Sequence, residues 1–109
     1  MSAPTVLVGR KPVSSYVLAC LHAFRQNGSV EVKARGRAIP KAIGVVQVLR
    51  EGLVKGLEVD HVDIGTERLQ GKDGREIRVN SISIRLSLPG KSPARASERS
   101  ASSAQGPLS

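Results

Sequence analysis

Val30-Glu-Val-Lys-Ala-Arg-Gly-Arg-Ala-Ile-Pro-Lys-Ala42 decides the fold. Val30, Val32 and Ala34 alternate with Glu31, Lys33 and Arg35, the period-two pattern of a strand with one buried face. Ile39-Pro40 then opens a helix, because proline suits a first turn in which its missing N–H has no partner to lose. Four cations, Lys33, Arg35, Arg37 and Lys41, fall on this strand-to-helix passage. A strand end, a glycine and a helix N-terminus set side-chain cations beside unpaired backbone N–H groups, which is chemistry for a phosphate backbone. Alone, the stretch reads equally well as a solvated basic loop. The flanking sequence decides.

Upstream, Thr5 to Gly9 is a short β-branched run ended by glycine, a strand. Pro12 opens a first helix whose apolar stripe is Val13, Tyr16, Val17, Cys20, Leu21 and Phe24, and Asn27-Gly28 closes it. Downstream, the stripe of the second helix is Ile39, Ala42, Ile43, Val46, Leu49 and Leu53. Leu57, Val59, Val62 and Ile64 make a third strand, with a break in alternation at Asp60-His61. Ile77 to Leu88 make a fourth, with a phase change at Asn80-Ser81 that predicts a bulge. Asp73-Gly74 between them signals a hairpin turn. The order βαβαββ predicts an α+β, two-layer sandwich: two helices on one sheet ending in a hairpin. With strands of about ten residues at ~3.3 Å each, the hairpin reaches roughly 30 Å and outruns the helices as an arm carrying Arg68, Lys72, Arg75 and Arg78.

The 109 residues allow one domain and a tail. From Pro89 onward Ser, Ala, Pro, Gly and Arg replace apolar bulk, so 1–88 reads as the folded domain and 89–109 as a disordered basic tail. The whole chain carries 17 Lys+Arg against 9 Asp+Glu, a net +8 with pI near 10.6. Lys91, Arg95 and Arg99 against Glu98 give the tail +2, which leaves +6 (8 − 2) on the domain. Such charge predicts a polyanionic partner, nucleic acid first. No apolar run approaches the ~20 residues of a membrane span, and the N-terminus lacks a signal-like pattern. A single cysteine, Cys20, on the apolar face of the first helix predicts a core thiol and a reducing, intracellular setting.

Catalysis finds little support. His22 and His61 lack Cys or carboxylate partners at metal-ligand spacing, so no metal and no cofactor is expected. Ser14 and Ser15 have no nucleophile elbow around them. Gly65 to Asp73 imitates a phosphate loop, but has five residues between its glycines and Asp where magnesium needs Ser or Thr. Binding fares better. Arg10-Lys11 occupy the first strand-to-helix loop, and Arg35, Arg37 and Lys41 the equivalent second one. In this fold both loops emerge on one edge, where the helix N-termini add partial positive charge.

Gly9-Arg-Lys-Pro-Val13, Tyr16-Val-Leu-Ala19, Lys33 to Ala42 and the hairpin ending Asp73-Gly-Arg75 resemble the Alba family of archaeal chromatin proteins, over about Thr5 to Leu88. The resemblance implies the βαβαββ fold of the C-terminal domain of translation initiation factor three. It also implies a homodimer that binds double-stranded DNA, and RNA too, with little sequence preference, in the cytoplasm on the chromosome. The implied nucleic-acid-binding residues are Arg10, Lys11, Lys33, Arg35, Arg37 and Lys41, with Arg68, Lys72, Arg75 and Arg78 on an arm along the minor groove. The chain departs from the family in three ways. The first residue of the family's basic pair is a lysine subject to acetylation; Arg10 cannot be acetylated, which leaves Lys11. The aromatic that family dimers use to stack side by side is replaced at or near Leu53, which implies altered dimer–dimer packing and suggests a heterodimer with a paralogue. The tail is longer. The expected function is therefore an architectural protein coating or compacting duplex DNA. The alternative is an RNA-binding role in RNA processing or stabilisation, like the small subunits of ribonuclease P. The lack of aromatics argues against a single-strand stacking platform.

Overall fold

The computed structural model describes residues 3–90. Its elements are β1 (Thr5–Leu7), α1 (Val13–Asn27), β2 (Ser29–Arg35), α2 (Ile39–Val48), β3 (Glu58–Gln70) and β4 (Glu76–Ser87). A 3-10 turn, Gly36–Ala38, leads into α2, and a π turn, Leu49–Leu53, follows it. This is the expected α+β class and element order. The four-stranded sheet runs β1-β2-β4-β3. β1 and β2 are parallel, joined by the α1 crossover, and the other pairings are antiparallel.

The core follows from the alternation in β2. Val30 and Val32 are fully buried and Ala34 nearly so, while Lys33 and Arg35 stand exposed. Val32 faces Ile84 and Val30 faces Leu86 across β4, so the same face of both strands packs on the helices. α1 contributes Tyr16, Val17, Cys20, Ala23 and Phe24. It ends where Gly28 takes the left-handed conformation (φ 77°) and donates its N–H to the Phe24 carbonyl at 2.8 Å.

Four readings of the sequence are corrected. In α2 the buried residues are Ala42, Val45 and Val46, followed by Leu49, so Ile43 (47% exposed) lies off the stripe. Leu53 is 54% exposed, because the π turn adds a residue to the last turn and rotates it away from the core. β1 stops at Leu7, although the Val8 N–H still reaches the Lys33 carbonyl at 2.8 Å. No bulge occurs at Asn80-Ser81: β3 and β4 pair in unbroken register from His61–Arg85 to Gln70–Glu76. The phase change there is a change of face. Ile82, Ile84 and Leu86 point to the helices, whereas Ile77 and Val79 take the opposite face once the hairpin has passed them. The irregularity at Asp60 is real, lying between Val59 and His61. The Ser87 hydroxyl donates to the bulged Asp60 carboxylate.

β2 pairs with β4 only as far as Arg35–Ser81, and the hairpin continues for five further residue pairs. At ~3.3 Å per residue the free part projects about 17 Å, in a molecule measuring 52 × 30 × 27 Å. Gly74 (φ 83°) closes the tip, with the Gly71 N–H on the Arg75 carbonyl at 2.7 Å. Of the expected tail, Pro89-Gly90 form a turn and 91–109 lie outside the described residues.

Candidate nucleic-acid interface

Because β1 and β2 are parallel neighbours, the loop after β1 and the turn after β2 leave the sheet at the same edge. Both lead directly into helices. Neither α1 nor α2 has an acidic residue in its first turn or a side-chain cap on its N-terminal N–H groups. The positive ends of two helix dipoles therefore stand at this edge without carboxylates to neutralise them.

The cations gather there. Gly9, Arg10, Arg35, Arg37, Ala38 and Lys41 line an open hollow of about 540 Å³. Arg10 comes from the first loop, Arg35 from the end of β2, Arg37 from the turn and Lys41 from the first turn of α2. Arg10, Arg35 and Arg37 are exposed. Lys41 is half-buried. Its Nζ donates to the carbonyls of Gly9 at 3.0 Å and Lys11 at 2.7 Å. A cation in the first turn of a helix is electrostatically unfavourable, and these two carbonyls offset that.

Tyr16 completes the arrangement from α1. Its hydroxyl accepts the N–H of Gly9 at 2.8 Å and of Lys11 at 3.0 Å. Burial alone pushes the phenol up. The N–H groups of Lys11 and Gly9, with the nearby Lys41 and Lys11 charges, outweigh it and hold the phenol below its usual value.

The other expected residues sit elsewhere. Lys11 is exposed beside the hollow, on the same loop. Lys33 lies on the open face of the sheet in an adjoining cleft of about 570 Å³, shared with Arg35, Asp63 and Glu67. Arg68, Lys72, Arg75 and Arg78 are carried by the arm, away from the hollow but leaving the sheet at the same edge. Carboxylates answer some of these charges: Glu67 lies 3.4 Å from Arg35, Glu76 3.8 Å from Arg68, and Asp73 3.6 Å from Arg75.

Two participants, Tyr16 and Glu67, lie outside the basic runs of the sequence. Tyr16 was legible only as core, although an aromatic hydroxyl one turn into the helix after a basic loop was a usable signal. Glu67 gave no signal, since its approach to Arg35 depends on strand register. Elsewhere, His22 and His61 are exposed, and no cluster of three or more His, Cys, Asp or Glu among the described residues could hold a metal. Cys20 is fully buried, as expected. No helix among the described residues is long and apolar enough to cross a membrane.

Comparison with known proteins bears on family and fold. Residues 4–66 match the family model for Alba. The DNA/RNA-binding protein Alba of Methanocella arvoryzae is 41% identical over 85 residues, covering 77% of this chain and 88% of the relative. Among solved structures, Alba from Thermoplasma volcanium superposes with a TM-score of 0.71 at 37% identity, over 76% of this chain and 98% of that one. ALBA1 from Trypanosoma brucei gives a TM-score of 0.66 at 21% identity, over 99% of this chain and 89% of that one, a likeness of fold.

Proposed function

This chain belongs to the Alba family, and from that premise we propose that it is an architectural nucleic-acid-binding protein, not an enzyme. It binds double-stranded DNA without sequence specificity, coats or compacts it, and binds RNA as well. The observation that carries this reading is the convergence of Arg10, Arg35, Arg37 and Lys41 on one hollow at the uncapped ends of two helices. Such a site engages phosphates and not base edges, so it fixes position without reading sequence. The arm, with Arg68, Lys72, Arg75 and Arg78, adds contacts on neighbouring backbone or along the minor groove.

A dimer is the natural form of the assembly. Val59, Val62 and Ile64, at 39%, 50% and 76% exposure, lie along the edge strand β3, which has pairing on one side only. A second copy, or a paralogue, would cover this edge and double the basic surface. On the same reading, Leu53 is the contact between neighbouring dimers on DNA, and Lys11 is the acceptor for acetylation. The setting is cytoplasmic, on the chromosome. The likeness to a DNA/RNA-binding protein of Methanocella arvoryzae favours keeping an RNA-dedicated role as the second reading.

The test is binding to matched duplex DNA and duplex RNA over a salt series, with the oligomeric state measured alongside. With roughly 6–10 phosphates neutralised per dimer, log affinity falls by about 0.9 per contact for each decade of salt. A steep, sequence-blind response with DNA at least equal to RNA supports the architectural reading. Strong preference for RNA moves the function to RNA processing, and a flat response removes the proposed mechanism.

A further inference from the structure

Gly9 and Lys11 flank Arg10, and all four of their backbone polar groups are taken by two side chains. The two N–H groups donate to the Tyr16 hydroxyl, and the two carbonyls accept from the Lys41 ammonium. Tyr16 comes from α1 and Lys41 from α2. Arg10 alone, between the two held residues, carries an exposed side chain into the hollow.

Glycine geometry does not account for the shape of this loop. Gly9 is not in the left-handed region, and a Cβ on it would meet the Tyr16 hydroxyl at 3.5 Å, ordinary contact. The hydrogen bonds from the helices impose the conformation instead. Lys41 also has two of its three N–H groups committed to carbonyls, which leaves one for a phosphate in the hollow. It further covers two carbonyl oxygens whose partial negative charge would otherwise face an incoming phosphate.

We propose that Tyr16 and Lys41 are positioning residues, a clamp from two helices that presets the Gly9–Lys11 loop so that Arg10 and Lys11 engage phosphate without first being ordered. The gain comes from conformational freedom removed before binding. This inference rests on the reading of the hollow as a phosphate site.

The decisive variant is Tyr16→Phe, which keeps the buried ring and changes no charge. Duplex DNA binding is measured over a salt series for the wild type, Tyr16→Phe, Lys41→Arg and Arg10→Ala, with folding of each checked by thermal melting. If the clamp positions the loop, Tyr16→Phe weakens binding and flattens the salt slope by about 0.9, as though a cation had been deleted. Combined with Arg10→Ala it then flattens the slope little further, because both changes act on the same contact. Lys41→Arg keeps the charge but not the compact donor geometry, and it too loses affinity. Unchanged slope and affinity in Tyr16→Phe, or full binding by Lys41→Arg, overturns the clamp while the functional reading stands. A flat response in the wild type itself brings down both.

Discussion

Arg35 Nη1 lies 3.4 Å from Glu67 Oε1, an ion pair that joins the end of β2 to the root of the arm. Arg35 also lines the hollow, so a phosphate bound there competes with Glu67 for the same guanidinium.

Both partners are about half exposed, at 51% and 45%, so the pair is a surface one worth about 0.2–1 kcal/mol. Glu67→Gln releases Arg35 and removes a negative charge from the interface. Affinity for duplex DNA is expected to rise by up to about fivefold, more at low salt than at high. Titration at two salt concentrations checks this, and weaker binding would mean that Glu67 helps to hold Arg35 in its productive position.

Arg68 and Arg78 stand directly opposite each other in the arm. Like charges in such a pair destabilise a hairpin, here offset in part by Glu76, 3.8 Å from Arg68. Arg78→Thr is expected to stabilise the free protein by a few tenths of a kcal/mol up to about 1. It also weakens DNA binding and lowers the salt slope by about 0.9. Melting and binding should therefore move in opposite directions. A joint fall would show that the free arm needs Arg78.

Burial pushes the Cys20 thiol up to about 11 from 9.0. The native thiol is thus expected to resist alkylation near neutral pH and to react only when denaturant exposes it. The sign of the pH effect follows from the raised value. The unfolded chain ionises first, so this contribution to stability is intact below about pH 9 and is lost as pH rises through about 11. Melting across that range checks it, and Cys20→Ala should start less stable but lose this part of the decline. Rapid labelling of the native protein would show that the core around α1 opens readily.

Much of the fold was legible because β2 and α1 are strictly periodic: Val30, Val32 and Ala34 admit one strand face, and Tyr16, Val17, Cys20 and Phe24 one helix face. α2 was less legible for the opposite reason. Ile43, Val45, Val46, Val48 and Leu49 are all apolar, so periodicity cannot choose which of them face the sheet. In the hairpin, Asp60 and Asn80-Ser81 present the same broken alternation. Only the first is a bulge; at the second the apolar residues change face where the helices end, a tertiary fact. The hollow could be anticipated because its cations flank parallel strands whose loops must share an edge. The clamp could not, since Lys41 reaches backbone carbonyls 30 and 32 residues away.

The end of β4 gives the molecule a front and a back. Ser87 pairs with Ser29, the first residue of β2, and the Leu88 N–H reaches the Gly28 carbonyl at 2.9 Å, whereas the hollow stands at Arg35, where β2 ends. Seven residues of strand, about 23 Å at ~3.3 Å each, separate the two. Whatever continues beyond Gly90 therefore sets out from the pole opposite the basic hollow. A fluorophore or tether attached there can report on a bound duplex or anchor the protein to a surface, while the hollow and the arm stay open to solution.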